Sequence, residues 1–247
     1  MAFGEIGFAK QIALNAPKYK NIIEPFGDNG TLALYLGKKK PQQHTVNIED
    51  ETMFTIMSFI QTLSAADKKR LKGFDWVGSL ETFDQVVAIT AIEGAELFYR
   101  YFYLNKFAAK SKDPEAPPAF DYLKLNQDYK NMLYGLPTMR VGLKPVTLTN
   151  EDPLTVMGTG SAGAFSVLLP KKPEHIDAVE SRLGNFSGEF FYAKKSTSND
   201  DLFESVAING DSMNISTFAA SSIMMAQFEV RTNYDSKMSA LEPIEQK

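Results

Sequence analysis

Short apolar segments near the start of the chain are separated by residues that favour turns. Residues 21–26 and 44–48 have the apolar and β-branched content of buried strands, and residues 8–16 have the spacing of a short amphipathic helix. The two strands are separated by the turn sequence GDNG, residues 27–30, which precedes the apolar segment 31–36. Asp-Asn-Gly between apolar segments is typical of a β-hairpin, whereas a glycine turn that opens a helix is typical of a parallel βαβ unit.

The residues beyond this turn favour the βαβ interpretation, although the hairpin alternative stays open. Glu49 and Asp50 follow the second strand. They lie about 20 residues beyond the glycines, where an acidic residue of a mononucleotide-binding unit binds ribose hydroxyls. A helix over residues 31–36 would also explain the lysines at 38–40, because basic residues are favourable at the carboxyl end of a helix. We therefore expect a buried strand, a glycine turn and a short helix.

The middle of the chain has helical periodicity. Segments 51–74 and 80–107 place apolar residues at helical spacing, and residues 129–139 predict a further short helix and turn. The Pro- and Lys-rich segment 109–120 predicts a loop. We expect a mostly helical insertion over residues 80–140.

Strand-helix alternation returns after the helical middle. Strands are predicted at 146–149 and 165–169, a brief helix follows the first of them, and a longer helix covers 173–186. The closing strands are predicted at 188–196, 205–210 and 225–234. The fold expected from this order is an α/β domain over residues 1–79 and 141–247, with one mixed sheet and helices on both faces.

Composition limits the classes of function. The 247 residues include no cysteine, which excludes thiolate metal sites. The two histidines, His44 and His175, are far apart in the sequence, which argues against a dedicated metal site. No segment reaches the roughly 18 apolar residues of a membrane span, and the amino terminus lacks a signal-peptide pattern, so we expect a soluble, unexported protein. The net charge is −4, so any binding of DNA requires a local basic patch.

One segment offers such a patch beside aromatic residues. Phe98, Tyr101 and Phe102 could stack on bases while Arg100 and Lys106 meet phosphates. Aromatic residues at helical spacing usually pack a core, and that interpretation is favoured here. Further lysines of the candidate nucleic-acid surface follow at positions Lys110 and Lys112.

The order of these segments resembles the Dam-type DNA adenine-N6 methyltransferases. Residues 24–26, Glu-Pro-Phe, and the following glycines resemble that family's EPFxGxG cofactor loop, with Asp28 at its middle glycine. Residues 95–107 are similar to its aromatic LFLYLNKxGFNG segment without the FNG part, and residues 146–157 to its segment VTLxxxDFxxVL. The resemblance implies a Rossmann-like S-adenosylmethionine-dependent fold. It assigns cofactor binding to Glu24, Pro25, Phe26, Gly27, Asp28, Gly30, Glu49 and Asp50.

The family's catalytic motif is altered in this chain. In the family, the Asp and first Pro of DPPY accept hydrogen bonds from the target amino group, and the Tyr stacks on the flipped base. The corresponding residues here are Leu169, Pro170, Lys171 and Lys172. A poorer alternative for the catalytic position is the pair Asp152 and Pro153, which also follows a strand.

Three hypotheses of function follow. The favoured one is a catalytically inactive methyltransferase-like protein that serves as a binding or structural component, with weak or lost S-adenosylmethionine binding and at most weak DNA binding. Genes of this kind are common in phages, and the expected location is the cytoplasm, which is that of the host if the gene is phage-encoded. The second is an active, divergent DNA adenine-N6 methyltransferase that uses S-adenosylmethionine, and the third is an unrelated soluble α/β protein.

Overall fold

The chain folds into two compact units. The computed structural model describes residues 12–13, 16–17, 19–28, 30–37, 41–111, 113, 115–158, 160–195, 204–208, 211–219 and 227–234. The first unit comprises the described residues of Met1–Glu51 and Pro145–Lys247, and the second comprises Thr52–Lys144. The helical part therefore begins at Thr52, earlier than the insertion over 80–140 expected from the sequence, because the helices after residue 51 group with the later ones.

The first unit is built on a mixed sheet. In the described part of the chain its strands are β1 Asn21–Gly27, β2 Gln43–Ile48, β3 Thr147–Thr149, β4 Ala164–Leu168, β5 Glu189–Lys195, β6 Glu204–Ile208, β7 Asp211–Ala219 and β8 Gln227–Thr232. They lie in the order β3-β2-β1-β4-β5-β8-β7-β6. The first five are parallel to one another, and β8 joins β5 antiparallel. The four strands predicted over residues 21–26, 44–48, 146–149 and 165–169 thus lie side by side, in the order β3-β2-β1-β4.

The helices of this unit whose bounds lie within the described residues are α1 Thr31–Leu36, α7 Pro153–Met157 and α8 Pro173–Leu183. The five helices numbered between α1 and α7 are given below with the second unit. Because β1 and β2 are parallel and α1 connects them, the βαβ interpretation is confirmed and the hairpin alternative is wrong. Of the predicted helix over 8–16, Ile12 and Ala13 are helical, and most of the remainder lies outside the described residues.

Alternating side chains place helices on both faces of the sheet. Phe165 and Val167 of β4 pack with Leu32 and Leu36 of α1 on one face. The next side chain along β4, Leu168, packs on the opposite face with α7 and α8. Successive residues of a strand point to opposite faces, so the all-apolar β4 needs a helix on each side. The predicted α/β class is confirmed, and the architecture is compatible with a Rossmann-like fold.

Helix α8 is fastened to the sheet by Glu180. One carboxylate oxygen of Glu180 accepts hydrogen bonds from Lys194 at 2.7 Å and from the Tyr192 hydroxyl at 3.0 Å, and it lies 3.2 Å from Arg231. Burial alone would raise the pKa of Glu180, but these hydrogen bonds and the two positive charges outweigh it and lower the pKa. The network connects α8 to β5 and β8, and it fixes the helix that begins directly after the candidate catalytic segment.

The second unit is helical in its described residues. Its α-helices are α2 Glu51–Thr62, which starts at the unit boundary, α3 Ala65–Gly73, α4 Leu80–Val87, α5 Gly94–Phe107 and α6 Leu136–Leu143, with short 3-10 helices at Tyr122–Lys124 and Lys130–Gly135. The segment predicted as one helix over 51–74 is two, because Ser64 and Asp67 form a capping box that starts α3. The segment predicted over 80–107 also breaks, between α4 and α5. Ser79 caps the first of these helices, and Gly94 at φ 74° opens the second.

Candidate functional site

The candidate site lies where the strand order reverses. The chain leaves β1 toward β2 on one side and reaches β4 on the other, so the loops after β1, β2 and β4 meet at the carboxyl edge of the parallel strands. Ligands of open α/β sheets bind at this kind of edge. We call the loops that follow these three strands the strand-end site. It brings together Phe26, Gly27, Asp28, Gly30, Glu49, Asp50, Lys171 and Lys172.

The loop after β1 needs glycine at two positions, Gly27 and Gly30. A Cβ on Gly27 would lie 2.4 Å from Cγ1 of Val46 and 2.8 Å from the carbonyl oxygen of Asn47, so only glycine fits between β1 and β2. Gly30 has φ 64° and precedes α1, a conformation that glycine adopts without strain. Asp28 does not need the left-handed conformation, because Asn126 alone adopts a positive φ among the described non-glycine residues. Asp28 is therefore accommodated without backbone strain.

Two ion pairs connect the loop after β4 to the acidic residues of the other two loops. The ammonium nitrogen of Lys171 lies 2.5 Å from a carboxylate oxygen of Asp28, and that of Lys172 lies 2.5 Å from Glu49. All four side chains are at least 42% exposed, so the pairs contribute little to stability. The hydrogen bond with Glu49 raises the pKa of Lys172, which keeps its ammonium charged.

The remaining residues of the altered motif lie inward. The Leu169 side chain packs against the apolar cluster beneath α1, and Pro170 is buried. Leu169 therefore contributes to the core and presents no hydrogen-bond acceptor from its side chain.

The strands below the site hold two buried polar arrangements. Glu24 is 3% exposed, and its carboxylate lies 2.6 Å from Nε2 of His44. Glu24 and Pro25 are thus interior residues of β1, although the family resemblance implies cofactor binding for both. The sequence analysis considered His44 only as a possible metal ligand and did not predict its contact with Glu24. The contact depends on the parallel pairing of β1 with β2, which brings the two side chains together.

Asn47 joins β1, β2 and the loop after β3. Its Nδ2 donates to the carbonyl oxygens of Pro25 at 3.0 Å and Glu151 at 2.9 Å. Its Oδ1 accepts from the Thr149 hydroxyl at 3.0 Å and from the Glu151 amide at 2.8 Å. Every hydrogen-bonding position of this buried amide is used, so Asn47 fixes the relative placement of the loops around the strand-end site.

Asp152 and Pro153 begin helix α7. The Asp152 carboxylate accepts hydrogen bonds from the Thr155 hydroxyl at 2.8 Å and from the Thr155 amide at 2.7 Å, and Pro153 occupies the first helical turn. These two bonds lower the pKa of Asp152. The pair thus has a helix-capping role, and its proposed catalytic role stays a prediction.

His175 is a residue of the site that sequence reasoning missed. It lies in the first turn of α8, is 8% exposed, and its ring centroid is 5.5 Å from that of Phe26 at the end of β1. Its positive form would also lower the pKa of Asp152, which places the two side chains near each other. Its ring nitrogens are not among the buried side-chain atoms of the described residues that lack a hydrogen-bond partner. The signal in the sequence was its position three residues beyond Lys172 at a helix start.

The described candidate nucleic-acid-binding residues, Arg100, Lys106 and Lys110, lie in the second unit. Lys106 lies 5.5 Å from the ring centroid of Tyr129, and Nε of Arg100 is buried without a hydrogen bond. Lys110 is exposed, and Lys112 lies outside the described residues. Phe98 is fully buried and packs against Phe59 and Phe102, so the core interpretation is confirmed for this ring.

Comparisons with known proteins leave the family unassigned. No protein-family model matches the chain, and no curated protein is significantly similar to it. Within the described residues, no group of three or more His, Cys, Asp or Glu side chains is arranged to hold a metal ion. The described helices are all too short or too polar to cross a membrane.

Proposed function

We propose that this chain is a DNA adenine methyltransferase-like protein that does not transfer methyl groups and serves as a binding or structural component. The observation that carries the proposal is the position of Lys171 and Lys172. They follow β4, where the resembled family has its base-holding motif, and they pair with Asp28 and Glu49, which occupy the expected cofactor positions.

The strand order supports the methyltransferase-like part of the proposal. The order β3-β2-β1-β4-β5 is that of a doubly wound sheet, and its reversal lies between the glycine loop and the altered motif. The resemblance required these two segments to face one ligand. Their contact through Lys171 and Asp28 agrees with that requirement.

The chemistry of the altered motif supports the absence of catalysis. Methyl transfer to adenine N6 needs an acceptor that orients the amino group toward the methyl donor. Leucine has no side-chain acceptor, and a lysine ammonium only donates. Loss of such orientation costs several orders of magnitude in rate.

The same ion pairs argue for weak or lost binding of S-adenosylmethionine. Its ribose hydroxyls would have to displace Lys172 from Glu49, and its sulfonium would bring a positive charge toward two ammonium groups.

A methyl-transfer assay tests the proposal. The purified protein is incubated with radiolabelled S-adenosylmethionine and unmethylated duplex or single-stranded DNA, and we expect no label in adenine above a control without protein. Label that appears with the wild type and disappears in both Asp152→Ala and Asp152→Ser, the second of which keeps a capping oxygen, would identify Asp152 and Pro153 as a catalytic motif and overturn the proposal.

Any contact with DNA belongs to the second unit. Residues 52–144 contain 12 Lys and Arg against 10 Asp and Glu, whereas the whole chain has a net charge of −4. A small positive charge favours sequence-independent, salt-sensitive binding. Fluorescence anisotropy with two unrelated duplexes should show equal, weak affinities that fall as salt rises, and nanomolar preference for one duplex at physiological salt would contradict this.

A further inference from the structure

We infer that the second unit binds a second copy of this chain, through two exposed apolar surfaces of opposite charge. One surface is formed by residues 75–84 and 120–129, and the other by residues 130–144. Neither includes a residue of the strand-end site, so this partner goes beyond the proposed function and is independent of it.

Exposed apolar side chains are concentrated in the second unit. Within the described residues, the large apolar side chains that are exposed all belong to this unit, namely Val77, Leu80, Ile92, Tyr122, Leu123, Leu125, Tyr134 and Val141. Single exposed apolar residues are normal in proteins, whereas groups of them bordered by charged residues mark protein–protein contacts. Their grouping is therefore what matters here.

Five of these side chains are brought together by the pairing of two segments. Residues 76–78 run antiparallel to residues 126–129, joined by backbone hydrogen bonds of 2.8 to 3.0 Å. The ring of Phe120 packs against those of Phe83 in α4 and Tyr122, with centroids 5.5 and 5.3 Å apart. We call the result the acidic surface, whose exposed apolar residues are Val77, Leu80, Tyr122, Leu123 and Leu125.

The charge of the acidic surface restricts the partners that it can bind. Residues 75–84 and 120–129 contain five carboxylates and one lysine, Lys124, which pairs with Asp121 at 3.2 Å. Asp84 is exposed and lies one turn beyond Leu80 on the same side of α4. Negative charge repels nucleic acid and attracts a partner whose apolar residues are accompanied by lysine or arginine.

The chain itself has a surface with that chemistry. Residues 130–144 contain three basic residues and no acidic one. The 3-10 helix at the start of this segment continues into α6, and Leu133, Leu136 and Leu143 are buried. The exposed residues recur every three or four positions and form one stripe. We call this stripe the basic surface, and its residues are Lys130, Tyr134, Pro137, Val141 and Lys144.

The acidic and basic surfaces complement each other between two copies of the chain. Their contact removes apolar side chains from water and brings the carboxylates of one copy to the ammonium groups of the other. Each surface also presents an exposed tyrosine, Tyr122 or Tyr134, a residue type enriched in protein interfaces. Reciprocal use of both surfaces gives a closed dimer, and use of one surface from each copy gives an extending chain.

Sedimentation equilibrium of the full chain tests for the second copy. We expect reversible association that increases over the micromolar range of protein concentration and weakens as salt rises, because salt screens the charges of exposed side chains. Absence of association up to roughly millimolar concentration at low salt overturns the inference.

Two charge reversals identify the surfaces that meet. Asp84→Lys places a positive charge on the acidic surface, and Lys144→Glu places a negative charge on the basic surface. Each variant alone should associate at least about tenfold more weakly than the wild type, because a reversed charge now faces its own sign. An equimolar mixture should recover association to within about threefold, because the acidic surface of Lys144→Glu and the basic surface of Asp84→Lys are both unchanged.

Matched controls separate the two surfaces from general effects of substitution. Lys69→Glu changes the net charge as Lys144→Glu does, at an exposed position of α3 outside both surfaces. Leu123→Ser removes an apolar side chain that is 89% exposed on the acidic surface, and Ile92→Ser removes one that is 84% exposed outside both surfaces. We expect Leu123→Ser to weaken association about tenfold, and the two controls to change it less than about twofold.

The outcomes separate this partner from the proposed function. Failure of the mixture to associate, or equal effects of Leu123→Ser and Ile92→Ser, overturns the inference and leaves the proposed function standing. Association that Leu123→Ser weakens but Lys144→Glu does not would mean that the basic surface is not the partner, which also overturns it. Methyl transfer to DNA overturns the proposed function itself, whatever sedimentation shows.

Discussion

Lys171 and Asp28 are in contact across the point where the strand order of the sheet reverses, with the ammonium nitrogen 2.5 Å from a carboxylate oxygen. The two residues come from the loops after β4 and β1, which a ligand of an open α/β sheet would normally separate or bridge. Their pairing means that these two charges at the carboxyl edge of the sheet neutralise each other.

The close approach of β1 and β2 at Gly27 gives the first prediction. We expect Gly27→Ala to lower the free energy of unfolding by about 2 kcal/mol, because the added methyl group would overlap Val46 and the backbone of Asn47. Gly37→Ala is the matched control, since its Cβ would have no atom within 4 Å and its φ is −55°. The control should change the free energy of unfolding by less than about 0.5 kcal/mol.

Urea unfolding followed by far-UV circular dichroism measures both glycine variants. Fluorescence is unsuitable here because the single tryptophan, Trp76, belongs to the second unit. Equal midpoints for Gly27→Ala and the wild type would show that the strands can separate at this position.

The buried amide of Asn47 gives the second prediction. Asn47→Asp keeps the shape but places a carboxylate oxygen against the carbonyl oxygens of Pro25 and Glu151, in place of two hydrogen bonds. Asn47→Ala removes all four hydrogen bonds of the side chain, one of them buried and three partly buried. We expect each variant to lose about 3 kcal/mol of stability, from unsatisfied buried groups that cost roughly 1–3 kcal/mol each.

An exposed asparagine provides the control for Asn47. Asn131 is exposed in the second unit, and Asn131→Asp should be nearly neutral in the same urea titration. A similarly neutral Asn47→Asp would mean that the loop after β3 is held by other contacts.

Much of the first unit could be predicted from the sequence, and the exceptions have physical causes. β1, β2 and β4 are short apolar segments bounded by turn residues, and Glu49 and Asp50 follow β2 at the spacing of a βαβ unit. β7 was missed because its sequence, DSMNISTFA, is mostly polar and lacks a clear alternation. The breaks at Ser64 and after Val87 were missed because local capping overrides apolar periodicity.

The sequence predicted which segments form the candidate site, but it did not predict which side chains of those segments contact each other. The glycine loop and the altered motif were found as segments, because their residue types stand out in the chain. The partners of Lys171 and Lys172 lie more than 120 residues away in sequence, and such pairs follow from the strand order rather than from any local pattern. The same reason hid His44 as the partner of Glu24.

The pair formed by Glu24 and His44 gives the third prediction. Both side chains are at most 4% exposed, so removing one leaves the other buried without its partner. Glu24→Ala or His44→Ala should each cost about 3 kcal/mol. The apolar double variant Glu24→Leu with His44→Leu should cost less than the sum of the two alanine variants.

A double-mutant cycle in urea measures the coupling between Glu24 and His44. A coupling below about 0.5 kcal/mol would show that the two residues contribute to stability independently. It would also reopen a ligand-binding role for Glu24, which its burial otherwise argues against.

The capping carboxylate of Asp152 gives the last prediction, which concerns pH. Hydrogen bonds from the Thr155 hydroxyl and amide hold the folded-state pKa of Asp152 below its ordinary value. A depressed folded pKa adds stability above the unfolded pKa, near 3.9, and that stability is lost as the pH falls through the folded pKa. The wild type should therefore lose more stability between pH 7 and pH 3 than Asp152→Ser, which keeps a capping oxygen without a carboxylate.

Asp152→Ala separates the cap from the charge. At pH 7 it should cost about 1 kcal/mol through loss of the N-cap, whereas Asp152→Ser should cost less. Urea midpoints at several pH values give both comparisons on the same samples. A pH dependence identical in the wild type and Asp152→Ser would contradict the depressed pKa. It would also leave the Asp152 carboxylate without a detected role in stability, which would make its catalytic interpretation the next one to test.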